Sequence, residues 1–539
     1  MKYDSTHDAW NPYQPICFPM THRPQNWVED ITLTPPSLHD NTGDADRLRN
    51  ALAKRLGVEH IHIDLELTRK LPEMLRLWNY DVRCVLFADA QEYLLIGVTS
   101  VDEPETAAGL AIDLGTTRVV VRLLDLADGR TLSEASFENP QAQIGDDILT
   151  RIHYENSQSS APALLHRLII EELNKTISDM CAECNLVTES IYLAAVSGNT
   201  TMTHFFLNLP TYWIIREPYI PAVNQPDSVR ASLLGINANP LARIFVFPNI
   251  GSYFGGDVVS GILYTGIHKK EETTLMVDVG TNAEVVLGNR NWLIACAGAA
   301  GPALEGGVTE VGAKAGPGII DRVTIHPETN KIKIRTINNQ PPTGICGSGL
   351  IDLVAALFKT GAIDIRGKLD PERYPGWIRE SNGIREFIII PSDHSDTDKV
   401  LTLSQPDIDN LIRSKAAMYT ILRTLTTTVG LSFEDITRFY VAGTFGSFIN
   451  PESAITIGML PDLPMDRFTV VGNSSLEGAA RVLVSRDSLP EVAAIKNRLT
   501  YLELNVNQEF MNRFSAARFL PHTDASRFPS VTVPDQKVS

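Results

Sequence analysis

The chain has 539 residues, of which 43% are hydrophobic and 21% are charged, and its formal net charge is −17. At roughly 150 residues per domain, this length predicts about three or four domains, enough to bury several cores. The negative charge is spread along the chain, which argues against nucleic acid as a partner. No stretch approaches the ~18 uninterrupted apolar residues of a membrane span, and the N-terminus contains no apolar signal core. We therefore expect a large cytoplasmic enzyme with no membrane segment.

Residues 1–40 are rich in proline and polar side chains, which predicts an extended arm or linker. A small α/β module is predicted at residues 41–107. Helical spacing runs over Asp44–Leu56, and a second helix is predicted in the segment TRKLPEMLRLW. The segments VRCVLFA and YLLIGVTS are typical of strands.

One pattern then occurs twice: a strand that ends in Asp-x-Gly-Thr. The copies are AIDLGTT at residues 111–117 and MVDVGTN at residues 276–282. Each copy continues through a tight turn, a second strand, another turn and a third strand. This repeat predicts two similar lobes that face one cleft, with lobe I at residues 108–270 and lobe II, including a C-terminal extension, at residues 271–539.

The residues of this repeated turn suit the binding of a magnesium nucleotide. Asp113 and Asp278 are carboxylates at strand ends, and Mg²⁺ is usually held by one or two carboxylates, by retained waters and by substrate phosphates. Gly115 and Gly280 permit a tight bend and a close approach of the backbone to a ligand. One isolated copy is more often an ordinary hairpin turn, whereas two copies with similar flanks favour a phosphate site. Side-chain donors for phosphate oxygens follow these glycines: Thr116, Thr117, Thr281 and Asn282.

A third polar turn lies between the predicted strand IYLAAV and a helix. Its residues Gly198, Asn199 and Thr200 are either donors to a ligand or part of an ordinary helix N-cap, and the sequence supports both equally. Asp257 follows two glycines at the start of another helix. Capping is the commoner role of such an aspartate, and a position in the cleft is the alternative.

The six cysteines include one close pair, Cys181 and Cys184, at the end of a helical stretch that begins near Ala161. Neither the C-x2-C-x2-C nor the C-x4-C-x2-C spacing of iron–sulfur ligands is present. No second pair of ligands lies nearby in the sequence. We therefore favour packed thiols over a redox pair or half of a metal site, and we expect no iron–sulfur cluster in this chain.

Lobe II contains two late glycine turns, each predicted to lead into a helix. Glycines let the backbone lie flat against a base and a ribose, so two such turns suit an adenosine pocket. They are GICGSG, with Gly347 and Gly349, and VAGTFG, with Gly443, Thr444 and Gly446.

The order of these motifs resembles the actin, sugar kinase and heat-shock ATPase superfamily. AIDLGTT, SGNTTM, DVGTN, VAGTFG and VGNSSLEGA match its phosphate 1, connecting, phosphate 2, adenosine and second connecting motifs. More narrowly, SGNTTMTHFFL, GGDVVSGIL, AGPALEGG, GICGSGLID and VAGTFGSFINPESAITIGMLPDLP are similar to segments of the reductive activators of corrinoid proteins. The resemblance covers nearly the whole chain. It implies an α/β fold, namely a two-lobed actin-like ATPase with duplicated ribonuclease-H-like lobes around a nucleotide cleft, preceded by the small α/β module.

The resemblance also implies an activity. Such a protein uses ATP and Mg²⁺ to help return cob(II)alamin to cob(I)alamin in a corrinoid protein of a methyltransferase system. The cobalt couple is too negative for ordinary donors, and each tenfold shift of a one-electron equilibrium takes about 59 mV, or roughly 1.4 kcal/mol. Family members usually carry an iron–sulfur domain, which we do not find in this sequence, so we expect a separate low-potential electron donor. A homodimer is left open.

Roles carry over motif by motif. Asp113 and Asp278 take the metal role, directly or through water, and the two Gly-Thr turns bind phosphates. The VAGTFG segment takes the adenosine side, and Thr444 stands where the family pattern has glycine. The attacking water needs a carboxylate within hydrogen-bond reach, for which Asp257 and Glu305 are equal candidates.

Two other functions stay open at this point. One is a chaperone ATPase that reactivates cobalamin enzymes without a redox step. The other is a small-molecule kinase, which is the least favoured because no sugar-binding pattern stands out in the chain.

Overall fold

The chain contains both helices and strands in the computed structural model, which describes residues 26–88, 92–102, 105–157, 160–252, 254–280, 283–298, 311–313, 315–326, 329, 331–390, 400–443, 449–502 and 508–533. These residues form two compact units. The N-terminal unit comprises the described residues up to Gly266 together with Ser474–Arg498. The C-terminal unit comprises Ile267–Asn473 and the described residues from Leu499 onward. No helix in the described ranges is long and apolar enough to cross a membrane.

The N-terminal unit begins with the small α/β module. Its elements are β1 (Val28–Thr32), α1 (Asp44–Leu56), β2 (Ile61–Ile63), α2 (Leu65–Leu77), β3 (Asp81–Ala88) and β4 (Tyr93–Ser100). The strands form one sheet in the order β1-β3-β4-β2. Helix α1 has its predicted bounds because acidic residues begin it, Lys54 and Arg55 lie in its last turn, and Gly57 closes it with a φ of +70°.

Residues 1–40 are predicted to form an extended arm or linker, but their described part contains a strand of the small α/β module. Strand β1 pairs with β3 along its whole length, so it is an edge strand of the module. Trp27 is 1% exposed and stacks on Phe87, and its Nε1 donates to the carbonyl oxygen of Val482 at 2.8 Å. These long-range contacts hold the described part of the segment in the fold.

Lobe I is built on a six-stranded sheet. The strands are β5 (Ala108–Leu114), β6 (Arg118–Asp125), β7 (Thr131–Glu138), β8 (Ile191–Gly198), β9 (Val229–Arg230) and β10 (Arg243–Val246), in the order β7-β6-β5-β8-β10-β9. The helices are α3 (Ile148–Glu155), α4 (Ala161–Glu183), α5 (Thr200–Phe206) and α6 (Gly256–Thr265). Helix α4 starts where the sequence predicts it. Cys181 is buried at its end and Cys184 is partly buried, both as free thiols, which agrees with the prediction of packed thiols.

The C-terminal unit holds a second six-stranded sheet and two three-stranded sheets. Its strands are β11 (Thr274–Val279), β12 (Ala283–Gly288), β13 (Leu293–Gly298), β14 (Ile319–Ile325), β15 (Ile332–Thr336), β16 (Gly344–Ile345), β17 (Ile378–Ser381), β18 (Ile384–Ile390), β19 (Leu401–Ser404), β20 (Arg438–Ala442), β21 (Phe468–Gly472) and β22 (Leu499–Tyr501). Its helices are α7 (Gly347–Lys359), α8 (Gln405–Thr428), α9 (Pro451–Thr456) and α12 (Gln508–Ala517). The sheet orders are β21-β20-β11-β12-β13-β22, β15-β14-β16 and β17-β18-β19.

The two six-stranded sheets share one topology. In each, the first three strands form an antiparallel meander. Two later strands then add in parallel beside the first strand: β8 and β10 beside β5, and β20 and β21 beside β11. The duplication predicted from the two Asp-x-Gly-Thr segments is therefore present in the sheets.

Two helices from the last part of the chain belong to the N-terminal unit: α10 (Ser474–Val484) and α11 (Ser488–Arg498). The boundaries expected for lobe II differ from this division, since they assigned these helices to lobe II. Helix α10 packs closely on α6, because a Cβ on Gly478 would lie 2.1 Å from the carbonyl oxygen of Ser260. The hydroxyl of Ser260 also donates to the carbonyl oxygen of Ser475 at 2.6 Å.

We predict that Gly478→Ala lowers the melting temperature, because the added Cβ has to displace the backbone of α6. Overpacking of this kind costs about 1–3 kcal/mol. Thermal unfolding followed by circular dichroism measures the effect. Gly43→Ala is the control, since its added Cβ meets only the Oδ2 atom of Asp46 at 3.1 Å, and that side chain can rotate away. Equal melting temperatures for Gly478→Ala and the wild type would contradict the close packing.

Candidate functional site

Asp113 is the next-to-last residue of β5 and has strands on both sides. It pairs with Val120 of β6 and with Ser197 of β8. The Oγ atom of Ser475, in the first turn of α10, lies 2.7 Å from Oδ1 of Asp113 and 3.0 Å from Oγ of Ser197. Because a hydroxyl carries one proton, Ser475 donates to the carboxylate and accepts from Ser197.

Ser475 is a site residue that the motif interpretation missed. It is the second serine of VGNSSLEGA, a segment that the sequence already placed in the second connecting motif. Nothing local to that segment indicates that its hydroxyl meets Asp113, which lies 362 residues earlier in the chain. The packing of α10 on the lobe I sheet brings the two residues together.

The turn after β5 is tight because residue 115 is a glycine. A Cβ on Gly115 would lie 2.3 Å from the carbonyl oxygen of Arg118, the first residue of β6. The hydroxyl of Thr116 accepts a hydrogen bond from Nδ2 of Asn199 at 2.9 Å. The structure therefore joins the first predicted phosphate turn, Gly115 to Thr117, to the third polar turn of the sequence.

Asn199 caps helix α5, as one of its two interpretations predicted. Its Oδ1 accepts from the N–H of Met202 at 2.9 Å, while its Nδ2 holds Thr116. A single amide side chain thus connects the helix start with the turn after β5. Its role toward a ligand stays a prediction.

Small residues and one hydroxyl pack around this cap. A Cβ on Gly198 would lie 2.9 Å from a carbonyl oxygen of β5, and one on Gly255 would lie 2.4 Å from the Cα of Asn199. The hydroxyl of Thr200 donates to the carbonyl oxygen of Gly251 at 2.6 Å, so the hydroxyl proton already has an acceptor within the protein. Glycines are required here because backbone segments meet without room for side chains.

Asp257 lies in the first turn of α6, one residue past Gly256. The N-cap position is Gly255, so the capping interpretation of Asp257 is wrong. Its Oδ1 accepts from the N–H of Val258 at 2.9 Å. Burial raises the pKa of Asp257 to about 7; the Val258 hydrogen bond opposes this rise, and the nearby Asp113 carboxylate adds to it. The effect of the Asp113 carboxylate on this pKa places the two carboxyl groups close together.

Asp278 occupies the equivalent position in the C-terminal unit. It is the next-to-last residue of β11 and pairs with Glu284 of β12 and Ala442 of β20. Gly443 lies directly against it, because a Cβ on Gly443 would be 2.6 Å from Oδ1 of Asp278. Gly443 has a φ of +91°, a conformation that favours glycine. The structure thus brings the start of VAGTFG to the Asp278 carboxylate, and Gly280 follows at the end of the same strand.

Gly347 and Gly349 lie at the start of α7. A Cβ on Gly349 would lie 2.5 Å from the carbonyl oxygen of Ile320 in β14, so helix packing by itself requires this glycine. Their adenosine role stays a prediction. Five of the predicted site residues lie outside the described residues: Thr281, Asn282, Glu305, Thr444 and Gly446.

The described part of the chain contains no group of three or more His, Cys, Asp or Glu side chains arranged to hold a metal ion. A magnesium nucleotide does not need one, because phosphate oxygens and waters fill most of the octahedral positions. Single carboxylates at strand ends, Asp113 and Asp278, fit this mode of binding.

Three regions of the chain match family profiles. Residues 272–532 match the C-terminal domain of RACo, described as the ASKHA domain. Residues 108–270 match the RACo middle region, and residues 19–105 match the RACo linker region.

The chain is also similar to individual proteins. The chain is 29% identical over 472 residues to the corrinoid activation enzyme RamQ of Eubacterium limosum, covering 84% of this chain and 79% of that protein. It is 24% identical over 442 residues to the Co(II) methylated amine-specific corrinoid protein reductase of Methanosarcina barkeri, covering 75% of each. A solved reductive activator for corrinoid, iron-sulfur protein is 39% identical and superimposes with a TM-score of 0.88, covering 97% of this chain and 83% of that one. The resemblance and the α/β fold class predicted from the motifs are confirmed.

We predict that Asp257→Asn raises the melting temperature above pH 7 and that this gain disappears as the pH falls toward 4. The ordinary pKa of an aspartate is 3.8, and that of Asp257 in the fold is about 7. The folded protein therefore holds this proton more tightly than the unfolded chain, and stability falls as the pH rises between these values. Thermal unfolding measured from about pH 3 to pH 8, which spans the ordinary pKa of an aspartate, follows the effect.

Asp147→Asn is the control with the opposite sign. The N–H of Thr150 holds the pKa of Asp147 below its ordinary value, and Asp147 caps α3 through that contact at 2.8 Å. Its replacement should lower the melting temperature at neutral pH and should matter less below pH 3.8. A gain in Asp257→Asn that does not change with pH would contradict the raised pKa.

Proposed function

This chain belongs to the family of reductive activators of corrinoid proteins, and we propose that it uses ATP to drive cob(II)alamin to cob(I)alamin in a partner corrinoid protein. The cobalt gains one electron, and a separate low-potential donor loses one. The partner belongs to a methyltransferase system, in which cob(I)alamin is the nucleophile that accepts the methyl group.

One observation carries the proposal: the first strand of each six-stranded sheet ends in Asp-x-Gly at the same topological position. Asp113 stands next to last in β5, and Asp278 stands next to last in β11. A carboxylate, a glycine bend and backbone donors at the carboxyl end of a strand suit a nucleotide phosphate and its cation. The functions of these relatives, corrinoid activation and corrinoid protein reduction, support the second half of the proposal.

Each part of the site has a proposed role. The Gly115–Thr117 turn and Asn199 bind phosphate oxygens in the N-terminal unit. Asp278 and the turn that follows it serve the phosphates from the C-terminal unit, and VAGTFG serves the adenosine. Asp113 and Asp278 are the residues that would hold Mg²⁺, directly or through water. When bound, Mg²⁺ neutralises phosphate charge.

We assign the positioning of the attacking water to Asp257. A carboxyl group with a pKa near 7 accepts and releases a proton readily at neutral pH, which suits a group that orients water. Its closeness to Asp113 supports this choice. Glu305, the other candidate, lies outside the described residues.

The proposed activity is tested by mixing the protein with ATP, Mg²⁺, a low-potential donor and a cob(II)alamin-loaded corrinoid protein. The absorption band of cob(I)alamin is followed with time. We predict that cob(I)alamin accumulates beyond an ATP-free control, because ATP turnover supplies free energy for an otherwise unfavourable one-electron reduction. A tenfold gain in the ratio of cob(I)alamin to cob(II)alamin corresponds to about 59 mV.

Other outcomes would replace this function. No ATP-dependent cob(I)alamin with several candidate corrinoid proteins would overturn the proposal. Exchange of cobalamin without a change in cobalt oxidation state would indicate a reactivating chaperone. Transfer of phosphate to an added metabolite would indicate a kinase.

We further predict that Asp113→Asn and Asp278→Asn each lower ATP turnover by roughly two orders of magnitude or more, because each removes a carboxylate that would hold the cation. The melting temperatures should change little. Asp125→Asn is the control for Asp113, since Asp125 pairs with Ala108 at the opposite end of β5. Asp435→Asn, on an exposed loop of the C-terminal unit, is the control for Asp278. Wild-type turnover in both test variants would refute the metal assignment.

A further inference from the structure

The three carbonyl groups of the Gly115–Thr117 turn are all held from the buried side. Nδ2 of Asn139 donates to the carbonyl oxygen of Gly115 at 2.9 Å, and the backbone N–H of Asn139 donates to that of Thr117 at 2.9 Å. Between them, Nη2 of Arg151 donates to the carbonyl oxygen of Thr116 at 2.8 Å. Asn139 is 1% exposed and Arg151 is fully buried.

This arrangement fixes the direction of the N–H groups. In a trans peptide, the N–H of one residue points opposite to the carbonyl of the residue before it. Since the carbonyls of the turn face Asn139 and Arg151, the following N–H groups face away from them. Among the described residues, no acceptor receives a hydrogen bond from the N–H of Thr116 or Thr117. The turn therefore presents backbone donors on the side opposite the buried network, as an anion requires.

Arg151 brings a positive charge to the back of this turn. Its other hydrogen-bond partners are neutral: the carbonyl oxygen of Gly145 at 2.8 Å, Oε1 of Gln141 at 3.2 Å and Sδ of Met202 at 3.5 Å. Within the described ranges, no carboxylate forms an ion pair with its guanidinium. Burial lowers the pKa of Arg151 to about 10, and Asp147 and Asp146 oppose this fall, so the side chain is cationic at neutral pH.

A buried cation that has no carboxylate in direct contact is costly, and the cost falls when an anion binds close to it. The turn that Arg151 supports is the proposed phosphate site. Arg151 also touches Met202, whose N–H is bound by the Asn199 cap, so it contacts both segments that the phosphates are proposed to meet. No motif marked it, because α3 carries no glycine turn and no signature.

We infer that Arg151, supported by Asn139, is a positioning residue for the phosphates of a nucleoside triphosphate. Arg151 holds the Gly115–Thr117 turn so that the N–H groups of the turn point away from the buried side. The positive charge of Arg151 attracts the bound anion, from which it is separated by one peptide group. This inference rests on the proposed function, because it assumes that the turn binds ATP.

The test compares a neutral and a cationic replacement of Arg151 in the full-length protein. Isothermal titration with Mg²⁺-ATP gives the Kd, and thermal unfolding gives the stability of each variant. We expect Arg151→Gln to raise the Kd for ATP by about 10- to 100-fold, because the turn loses the donor that orients its central peptide and the phosphates lose a nearby positive charge. Arg151→Lys should recover most of the affinity, because it keeps the charge although not the planar fork.

Glu155→Gln is the matched control. Glu155 lies in the same helix, α3, is 6% exposed, and accepts from the N–H of Thr211 rather than from the turn. Its replacement should leave the Kd for ATP unchanged. Asn139→Asp is a second test variant, since it puts a negative charge behind the turn while keeping an acceptor for Gln141. It should weaken ATP binding, and it carries the test if Arg151→Gln does not fold.

The outcomes separate this inference from the function on which it rests. A wild-type protein that does not bind ATP overturns the proposed function. A wild-type protein that binds ATP, with unchanged Kd values in Arg151→Gln and Asn139→Asp, overturns the inference alone. Equal losses of affinity in the lysine and glutamine variants, in step with their melting temperatures, would show a purely structural role and would also overturn it.

Discussion

The carbonyl oxygens of the Gly115–Thr117 turn are all held on one side, and this constraint on the turn depends on two distant segments of the N-terminal unit. The carbonyls of Gly115, Thr116 and Thr117 each accept a hydrogen bond from Asn139 or Arg151. Asn139 lies directly after β7, and Arg151 lies in α3. The end of the meander and helix α3 together therefore fix the orientation of the three peptide groups of the turn. The glycine at position 115 lets the chain turn back into β6 without a clash.

The second copy of the turn meets a different neighbour. In lobe I, the Asp113 carboxylate is oriented by the hydroxyl of Ser475, which is itself bound by Ser197. In the C-terminal unit, the Asp278 carboxylate lies against the Cα of Gly443. The sheets are duplicated, whereas the described neighbours named here differ between the two carboxylates.

Burial acts on two ionisable groups of lobe I in opposite directions. It raises the pKa of Asp257 and lowers that of Arg151, so it favours the neutral form of each. The pKa of Asp257 rises to about 7, whereas Arg151 stays charged because its lowered pKa, about 10, is still well above neutral pH.

The local features of the chain were determined by the sequence itself. Helix α1 has its predicted bounds, α4 starts at Ala161, and the two Asp-x-Gly-Thr strands stand in sheets of equal topology. These features depend on periodicity, capping residues and glycine turns, which act over a few neighbouring residues. Only the tertiary structure decided three other features. They are the pairing of strand β1, the membership of α10 and α11 in the N-terminal unit, and the contacts of Ser475 and Arg151. Each depends on a partner distant in sequence, up to 362 residues away for Ser475 and Asp113, and no local pattern specifies which distant carbonyl or carboxylate a buried side chain will meet.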